Sequence, residues 1–242
     1  MTWSIIARDS VTGQFGIAVA TKFFAVGARV PHIAAGIGGI ATQALVNPYY
    51  GIDGLQLLRA GRAPADIVKI LIDADAGRAS RQLHIMDANG RIAAHTGREC
   101  VEWCGHLQGE GFSLAGNMLA GAAVLDNTAT AYVANATRPF AHRLIAAMLA
   151  GEAAGGDKRG RQSAALLIYD AEEWSALDLR VDDHADPLGE LVRLEQVSRE
   201  RWVHFRTFLP TRRNPAGITD RTTIDAGIDV ATAASASRND DG

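Results

Sequence analysis

The sequence predicts an α+β fold in which helices pack outside two layers of antiparallel β-sheet. Two observations support this prediction. Runs rich in β-branched and aromatic residues occur in adjacent pairs separated by short turns, as residues 2–8 and 14–22 do. Pairs of segments with helical character alternate with these strand pairs along the chain. Sheets and helices of this kind bury their apolar faces by stacking in layers, which favours a sandwich.

The first third of the chain predicts a hairpin, two further strands and two helices. Pro64 stands at a first-turn position of the second helix, where its missing N–H costs nothing. Ile67, Leu71 and Ala74 form one apolar stripe along that helix. These elements are predicted at residues 2–8, 14–22, 30–35, 38–45, 51–60 and 64–74.

The rest of the chain continues the alternation of strands and helical pairs. Asn89-Gly90 is typical of a hairpin turn, Gly151 is predicted to end a helix, and Asp186-Pro187 is predicted to begin the final helix. Strands are predicted at residues 82–87, 91–95, 100–107, 111–114, 164–169 and 176–181, and helices at 122–135, 139–150 and 186–203. Residues 2–204 are predicted to form a single domain. Residues 205–242 are predicted to be a partly disordered C-terminal tail, ordered where Phe205 and Phe208 dock.

Composition excludes several classes of function. A chain of 242 residues with 48% hydrophobic content can bury a full core. The near balance of 24 basic and 27 acidic residues, with 6% aromatic residues, predicts neither a nucleic-acid partner nor a membrane partner. Cys100 and Cys104 cannot make a disulfide framework, and Arg8 and Asp9 interrupt the first apolar run before a signal peptide could form. We therefore expect a cytoplasmic protein.

Thr2 is the candidate catalytic residue. Cytosolic aminopeptidases remove Met1 when the next side chain is as small as that of threonine, and the removal leaves a hydroxyl and a free α-amine on one residue. The hydroxyl alone is a weak nucleophile and needs a base. An unperturbed α-amine titrates near pH ~7.7–8.0, which suits general-base catalysis. Thr2 would thus supply both halves of a nucleophile–base pair.

Lys22 is the candidate partner of Thr2, subject to the register of the first hairpin. If a five-residue loop leaves Arg8 opposite Gln14, then Thr2 lies opposite Ala20 and Lys22 is a diagonal neighbour on the same face. An ammonium there would lower the pKa of the Thr2 hydroxyl. A slip of one residue would send Lys22 to the opposite face, where it would be an ordinary solvated lysine.

Several segments together resemble one bacterial family. They are MTWSIIARD at residues 1–9, AVATKFFAVGA at 18–28, ATQA at 41–44, GNML at 116–119, GGDKRGRQSAAL at 155–166 and DDH at 182–184. The sequence is identified as a member of DUF1028, a family of unknown function placed among the N-terminal-nucleophile (Ntn) hydrolases. The resemblance covers roughly residues 2–194. It implies a four-layer αββα sandwich, in which two antiparallel sheets stack between helix layers.

The resemblance also implies roles for matching residues. Thr2 stands where Ntn hydrolases place the nucleophile, at the start of a strand, and Lys22 resembles the lysine beside the threonine in proteasome-type members. Asn117 resembles an oxyanion-hole amide, a donor typically worth ~2.7–4 kcal/mol; a turn asparagine is the alternative. We expect activation to need only removal of Met1, without self-cleavage.

The segment 156–163 is the densest polar cluster in the chain. Asp157, Arg159, Gln162 and Ser163 are predicted to bind substrate, with Arg159 as a bidentate partner for a carboxylate or carboxamide. The alternative is an Asp–Arg pair that holds the corner between helix and strand. The spacing from Gly151 resembles a P-loop, but Asp157 stands where that motif needs lysine, so nucleotide binding is rejected.

No metal or cofactor is predicted. The segment 36–41 fits the dinucleotide fingerprint formally, but strand-like sequence follows it and the acidic residue about 20 positions on is missing. A zinc site built from His95, Cys100, Cys104 and His106 would be split across strand faces. The segment 182–184 is interpreted as a polar turn.

These observations predict an amidohydrolase that cleaves a small linear or cyclic amide through an acyl-enzyme intermediate on Thr2. Two alternatives remain at this stage. One is a serine hydrolase using Ser113, although the segment 111–116 is one residue too long for a nucleophile elbow. The other is a non-catalytic module that binds a small molecule on the same fold. Exposed sheet edges also predict a homo-oligomer.

Overall fold

The structure, a computed structural model, describes residues 2–239. Its ten strands are β1 (Thr2–Arg8), β2 (Phe15–Thr21), β3 (Pro31–Ala34), β4 (Gly38–Ala44), β5 (Arg81–Asp87), β6 (Ile92–Thr96), β7 (Gly105–Gly109), β8 (Phe112–Asn117), β9 (Ser163–Tyr169) and β10 (Ser175–Val181). They form a six-stranded sheet in the order β10-β9-β2-β1-β8-β7 and a four-stranded sheet in the order β3-β4-β5-β6. Every pairing between them is antiparallel.

The helices complete a four-layer αββα sandwich. The described residues form seven α-helices: α1 (Pro48–Arg59), α2 (Pro64–Asp73), α3 (Ala123–Ala134), α4 (Phe140–Ala153), α5 (Pro187–Glu200), α6 (Trp202–Phe205) and α7 (Arg221–Asn239). Helices α1 and α2 pack on the smaller sheet, α3 and α4 pack on the larger sheet, and the two sheets contact each other through β1, β2, β4, β5 and β8. The fold class predicted from the sequence is confirmed.

The central strand β1 is buried on both faces because it has a sheet on one side and helices on the other. Ser4 and Ile6 face the smaller sheet, where Ser4 hydrogen-bonds across the interface and Ile6 joins an apolar cluster with Ile17 and Met86. Trp3 faces the helix layer and is fully buried. Between Ser4 and Arg8 the strand is therefore a continuous apolar run, Ile5-Ile6-Ala7.

The interface between the sheets changes character along its length. At one end the contacts are apolar, and full burial of each such side chain contributes about 1.5–3 kcal/mol. At the other end, around the start of β1, the contacts are hydrogen bonds between polar side chains. A sandwich of this kind leaves room for a polar site at one edge without giving up its apolar core.

Three local predictions are corrected by the structure. The first hairpin is one residue out of register: Trp3 pairs with Ala20 and Arg8 with Phe15. Helix α4 does not end at Gly151, which lies within the helix where an added Cβ would be 3.0 Å from the Trp3 ring nitrogen. The strand predicted at 100–107 begins only at Gly105, because the Cys100 N–H closes a turn onto the Gly97 carbonyl at 3.0 Å.

The chain divides into two compact units, Met1–Leu191 and Val192–Gly242. The boundary placed after residue 204 stays a prediction, and so does partial disorder of the tail. Helices α6 and α7 follow the helix that the sequence predicted as the last one. Within the second unit, Phe208 packs closely on Gly227 of α7, and Arg201 forms an ion pair with Asp225. Residues 240–242 lie outside the described residues.

Among residues 2–239, no helix has both the length and the apolar character that crossing a lipid bilayer requires.

Candidate active site

A cavity of about 410 Å³ opens where β1 begins, between the two sheets. Its volume is within the range of small-molecule sites, about 300–1,000 Å³. The cavity is lined by three uncharged polar residues at its base, by two arginines and by apolar residues over the rest of its wall. The lining residues are Thr2, Thr21 and Gln43; Arg29 and Arg81; and Phe23, Val26, Val30, Ala44, Leu45 and Val46.

Thr2 is held at the base of this cavity by the strands on either side of β1. Continuing the β1–β2 register by one step brings Thr21 beside Thr2, and the Thr2 hydroxyl donates to the Thr21 hydroxyl at 3.2 Å. The Thr2 carbonyl accepts from Gln43 Nε2 at 3.3 Å and from Asn117 Nδ2 at 3.4 Å. Thr2 is 8% exposed and lines the cavity, so its hydroxyl is fixed in place next to space for a ligand.

The structure does not bring Lys22 to Thr2. The register slip places Lys22 on the same face as Ala20, opposite to the face that carries Thr2 and Thr21. Its ammonium donates to the Arg161 carbonyl at 3.0 Å and its backbone N–H to Asp157 Oδ2 at 2.7 Å. The predicted Thr2–Lys22 pairing is therefore wrong in its geometry, and Thr21 occupies the neighbouring position instead.

Asn117 lies directly opposite Thr2 in the β1–β8 pairing and is 2% exposed. Its Nδ2 also donates to Gln82 Oε1 at 3.0 Å. Both amide hydrogens are thus directed to protein acceptors, and the longer bond, 3.4 Å to the Thr2 carbonyl, is the one that a substrate oxygen could replace. In this arrangement Asn117 fixes the first residue of β1, and its oxyanion role stays a prediction.

Gln82 is the centre of the buried polar cluster beneath Thr2. Its Oε1 accepts from Gln43 Nε2 at 2.8 Å as well as from Asn117. Its Nε2 lies within hydrogen-bond distance of Thr96 Oγ1 and of the Gly105 and Gly116 carbonyls, at 2.8–3.0 Å. This one side chain joins the two sheets, because it contacts strands of both.

A second branch of the cluster runs from Gln43 to Ser113. The Ser4 hydroxyl donates to Gln43 Oε1 at 2.7 Å, so its oxygen accepts from His84 Nε2 at 2.9 Å. His84 Nδ1 is then without a hydrogen and accepts from the Ser113 hydroxyl at 2.9 Å. This chain of bonds assigns the Nε2–H tautomer of neutral His84. Burial, with a smaller effect of the charge on His106, lowers the His84 pKa to about 3.

Because buried His84 resists protonation in the folded protein, we expect the free energy of unfolding to decrease as the pH is lowered. The unfolded histidine binds a proton near its ordinary pKa of 6.5, whereas the folded one does so only near 3. Stability is therefore complete above pH 6.5 and falls below it, by up to about 1.4 kcal/mol per pH unit from this site. Urea unfolding at pH 7 and pH 5 should show a smaller loss in His84→Gln than in the wild type. The exposed-site control His184→Gln should keep the wild-type loss, and equal losses in all three proteins would contradict the assignment.

Ser113 is not accessible to a substrate. It sits 2.9 Å from His84 in a pair that resembles a hydrolase dyad, but both residues are fully buried between the sheets. The cavity is not lined by either residue. Burial therefore argues against a serine hydrolase centred on Ser113.

The segment 156–163 holds a loop of the cavity wall. Asp157 is 4% exposed and accepts from the backbone N–H groups of Lys22 and Arg159, and its carboxylate pairs with the Arg159 guanidinium at 3.1 Å. Ser163 donates to the Phe23 carbonyl at 2.5 Å and accepts from the Val26 N–H at 3.2 Å. These contacts position the loop that carries the lining residues Phe23 and Val26.

The four residues predicted to bind substrate lie outside the cavity lining. Gln162 donates through its side chain to Asp183 at 3.1 Å and through its backbone to Thr21 at 3.1 Å. Asp157, Arg159 and Ser163 are directed to the loop as described above. The structure thus favours the alternative interpretation of the segment, a locked corner, while direct substrate binding stays a prediction.

Asp157→Ala is expected to lower the free energy of unfolding by about 2–3 kcal/mol. The substitution leaves two backbone N–H groups without their acceptor, and each such loss costs about 1–3 kcal/mol when buried. Urea unfolding measures the change. The matched control is Asp183→Ala, whose carboxylate is exposed and accepts from Gln162, and a change within about 0.5 kcal/mol is expected there. Equal stabilities of the two variants would refute this role of Asp157.

Backbone strain is concentrated around the cavity. Among the described residues, three that are not glycine have a left-handed φ: Ala25 at 54°, Ala44 at 69° and Met118 at 52°. Ala44 lines the cavity, Ala25 precedes the lining residue Val26, and Met118 follows Asn117. Such conformations cost of order 1–3 kcal/mol each and cluster at functional sites.

Metal-ligating groups are not assembled in the described residues, where no cluster of three or more histidine, cysteine or acidic side chains occurs. Cys100 Sγ donates to the Arg81 carbonyl at 3.3 Å and Cys104 Sγ to the Cys100 carbonyl at 3.5 Å. His95 lies 2.9 Å from the Arg78 carbonyl, and Asp182 pairs with Arg180. Each of these groups has a protein partner that accounts for its position.

A larger cavity of about 570 Å³ lies at α1 and α2. Two of its lining residues are bound to each other: the Tyr50 hydroxyl donates to Asp75 at 2.8 Å, and Asp75 also pairs with Arg81, outside the lining, at 3.2 Å. Its wall offers no hydroxyl at the start of a strand comparable with Thr2.

Sequence reasoning missed the lining residues Thr21, Arg29, Gln43 and Arg81. Thr21 and Gln43 stand within the segments that carry the family resemblance, but no role was assigned to them. The correct hairpin register would have indicated Thr21. For Gln43, the signal is a polar residue inside an otherwise apolar strand, because such residues need partners when buried.

The fold and the site define an α+β sandwich with a threonine at the start of a central strand, beside a small cavity. The sequence matches the family model for DUF1028, a family of unknown function, over residues 2–191. The chain belongs to this family, as the sequence predicted.

Comparison with solved structures found matches of two kinds. A crystal structure of a DUF1028 protein from Silicibacter pomeroyi is 35% identical, with a TM-score of 0.84 over 91% of this chain and 96% of that chain. Anbu, an ancestral beta-subunit from Yersinia bercovieri, is 11% identical, with a TM-score of 0.39 over 81% of this chain and 94% of that chain. No protein of curated function matches the sequence.

Proposed function

We propose that the protein is an Ntn hydrolase that cleaves a small amide with Thr2 as its nucleophile. One observation carries the proposal: Thr2 is the first residue of a central strand, its hydroxyl is bonded to Thr21, and Thr2 lines a cavity of small-molecule size. A catalytic hydroxyl needs this combination of rigidity and access. The family membership adds a fold on which such a residue is expected from the resemblance described above.

The proposed reaction needs the Thr2 α-amine to be free. After Met1 is removed, the neutral amine takes the hydroxyl proton while the oxygen attacks the amide carbonyl. The tetrahedral intermediate collapses to an ester on Thr2 as the proton passes to the leaving amine. The Thr2 α-amine then takes a proton from water, and the water oxygen attacks the ester, which releases the acid and regenerates Thr2. Met1 lies outside the described residues, so its removal rests on the sequence alone.

The surroundings of Thr2 suit this chemistry. The bond to Thr21 at 3.2 Å orients the hydroxyl, and the bonds to the Thr2 carbonyl hold the backbone on which the amine would lie. The loop that carries Phe23 and Val26, together with Ala25 and Ala44 in their left-handed conformations, shapes the cavity next to Thr2. These groups supply orientation, which is a large part of catalysis by positioned nucleophiles.

The test is covalent labelling of the native protein. Intact mass first establishes whether Met1 is removed, and a small β-lactone is then added and its adduct is mapped by mass spectrometry. We expect one ester adduct, on Thr2. A version with an uncleaved extension before Thr2 keeps the hydroxyl but lacks the free amine, and it should lose the adduct.

An adduct on another residue, or reactive protein that retains Met1, would overturn the proposal. A protein that binds a ligand in the cavity but never forms an adduct would instead be the non-catalytic binding module. Self-association stays a prediction from the exposed sheet edges.

A further inference from the structure

The charge of the cavity wall is one-sided. Two of its lining residues, Arg29 and Arg81, carry guanidinium groups, and no aspartate or glutamate is among the lining residues that the structure describes. The chain as a whole is slightly acidic, with a formal net charge of −3, so this local excess of positive charge is not a reflection of composition. A cavity of this sign concentrates anionic ligands.

The two arginines are not equivalent. Arg81 is already bound: its Nε pairs with Asp75 at 3.2 Å and its Nη1 donates to the Leu45 carbonyl. Arg29 is exposed, and within residues 2–239 the structure records no ion pair or side-chain hydrogen bond for it. Arg29 is thus the guanidinium that can receive a ligand.

The backbone beneath Arg29 is held in place. The Arg29 N–H donates to the Val26 carbonyl at 3.0 Å, the Val30 N–H donates to the same carbonyl at 3.1 Å, and Thr42 donates to Val30 at 3.2 Å. Ser163 fixes Val26 from the other side. The cation therefore projects from a fixed point of the wall, although its own side chain is long.

The remaining wall is apolar. Phe23 and Leu45 line the cavity and are 64% and 66% exposed, and Val26, Val30 and Val46 complete the surface. An apolar surface beside a cavity is a common feature of ligand-binding grooves. The complementary ligand has one anionic group and a short apolar part.

We infer that the amide cleaved at Thr2 carries a carboxylate, which Arg29 binds while the apolar part of the substrate packs on Phe23 and Leu45. This inference rests on the proposed function. The planar guanidinium presents two parallel N–H donors that match a carboxylate, a geometry that neither lysine nor a neutral amide reproduces. An uncharged amide would leave Arg29 without a partner in the complex.

The experiment compares two probes on the full-length protein. They are the same β-lactone with a terminal carboxylate and with a terminal primary amide, and the second-order rate of Thr2 adduct formation is measured for each. We expect the wild type to prefer the carboxylate by about 10–100-fold, the range for a charge-assisted hydrogen bond, and the preference to fall with salt. Arg29→Gln should reduce the ratio of the two rates to near one. Arg59→Gln, an exposed arginine of α1, should keep the wild-type ratio.

The outcomes separate this inference from the proposed function. Equal rates of Thr2 labelling for both probes in the wild type overturn carboxylate recognition and leave the nucleophile in place. If neither probe labels Thr2, the proposed function fails, and recognition is then judged by binding of an unreactive N-acyl amino acid and its C-terminal amide, measured as a thermal shift. A shift with the acid that Arg29→Gln abolishes would support the inference, and no difference between acid and amide would overturn it.

Discussion

Replacing Thr2 with alanine is expected to reduce the rate of acyl transfer by a factor on the order of 10³–10⁶, the range for loss of a catalytic nucleophile. The substitution removes the hydroxyl that borders the cavity and keeps the α-amine, since alanine also permits removal of Met1. The substitution also removes the bond of 3.2 Å from the Thr2 hydroxyl to Thr21, and a typical bond of this kind contributes about 0.5–1.5 kcal/mol to stability. The rate of β-lactone labelling, followed by intact mass, measures the effect.

Thr2→Ser is the matched control. Serine keeps a hydroxyl and an α-amine on one residue, and we expect its labelling rate to stay within about 100-fold of the wild type. Thermal melting should show that both variants are folded. Persistent labelling of Thr2→Ala at the wild-type rate would place the nucleophile elsewhere and remove the proposed mechanism.

Gln82→Leu is expected to be the most destabilising of the substitutions considered, with a loss of about 3–5 kcal/mol in the free energy of unfolding. Gln82 is fully buried and contacts side chains or carbonyls of both sheets. Leucine has nearly the same volume, so the loss arises from hydrogen bonds alone. It removes the acceptor of one amide N–H of Gln43 and one of Asn117, and the donor to the Gly116 carbonyl, and each buried group left unsatisfied costs about 1–3 kcal/mol.

The control for Gln82→Leu is Gln108→Leu, an exposed glutamine on strand β7. The same chemical change there should alter stability by no more than about 0.5 kcal/mol. Urea unfolding monitored by tryptophan fluorescence measures both variants. Similar stabilities for the two would show that the polar cluster between the sheets does not support the fold as described.

The layered fold could be predicted from the sequence because its signals are local. A few neighbouring residues are enough to indicate a strand pair, a helix start such as Pro64 or a turn such as Asn89-Gly90. The structure has the expected element at each of these places. The first hairpin shows the limit of such signals. The Asp9 carboxylate accepts from Val11 and Thr12, and the Asp9 N–H donates to the Gln14 carbonyl, which draws Asp9 into the ladder and shifts the register by one.

The site was only half predictable, for a related reason. Once Met1 is removed, Thr2 carries both a hydroxyl and a free α-amine wherever it lies in the fold, so the sequence alone indicated it as a candidate nucleophile. Gln43 and Gln82 act on Thr2 from the other sheet, across separations of 41 residues and more, and no local pattern reports such contacts. The segment 156–163 was recognised as important from its polarity, but polarity alone does not say whether the groups face a ligand or a loop.

The position of β1 between β2 and β8 has a practical consequence for handling the protein. Most polypeptides present their first residues at the periphery, where a fusion partner or purification tag is harmless. Here Thr2 itself lines the cavity, so a peptide joined ahead of it would begin at the cavity wall. Affinity handles therefore belong at the carboxyl end, because an amino-terminal tag would block the α-amine that the proposed reaction needs.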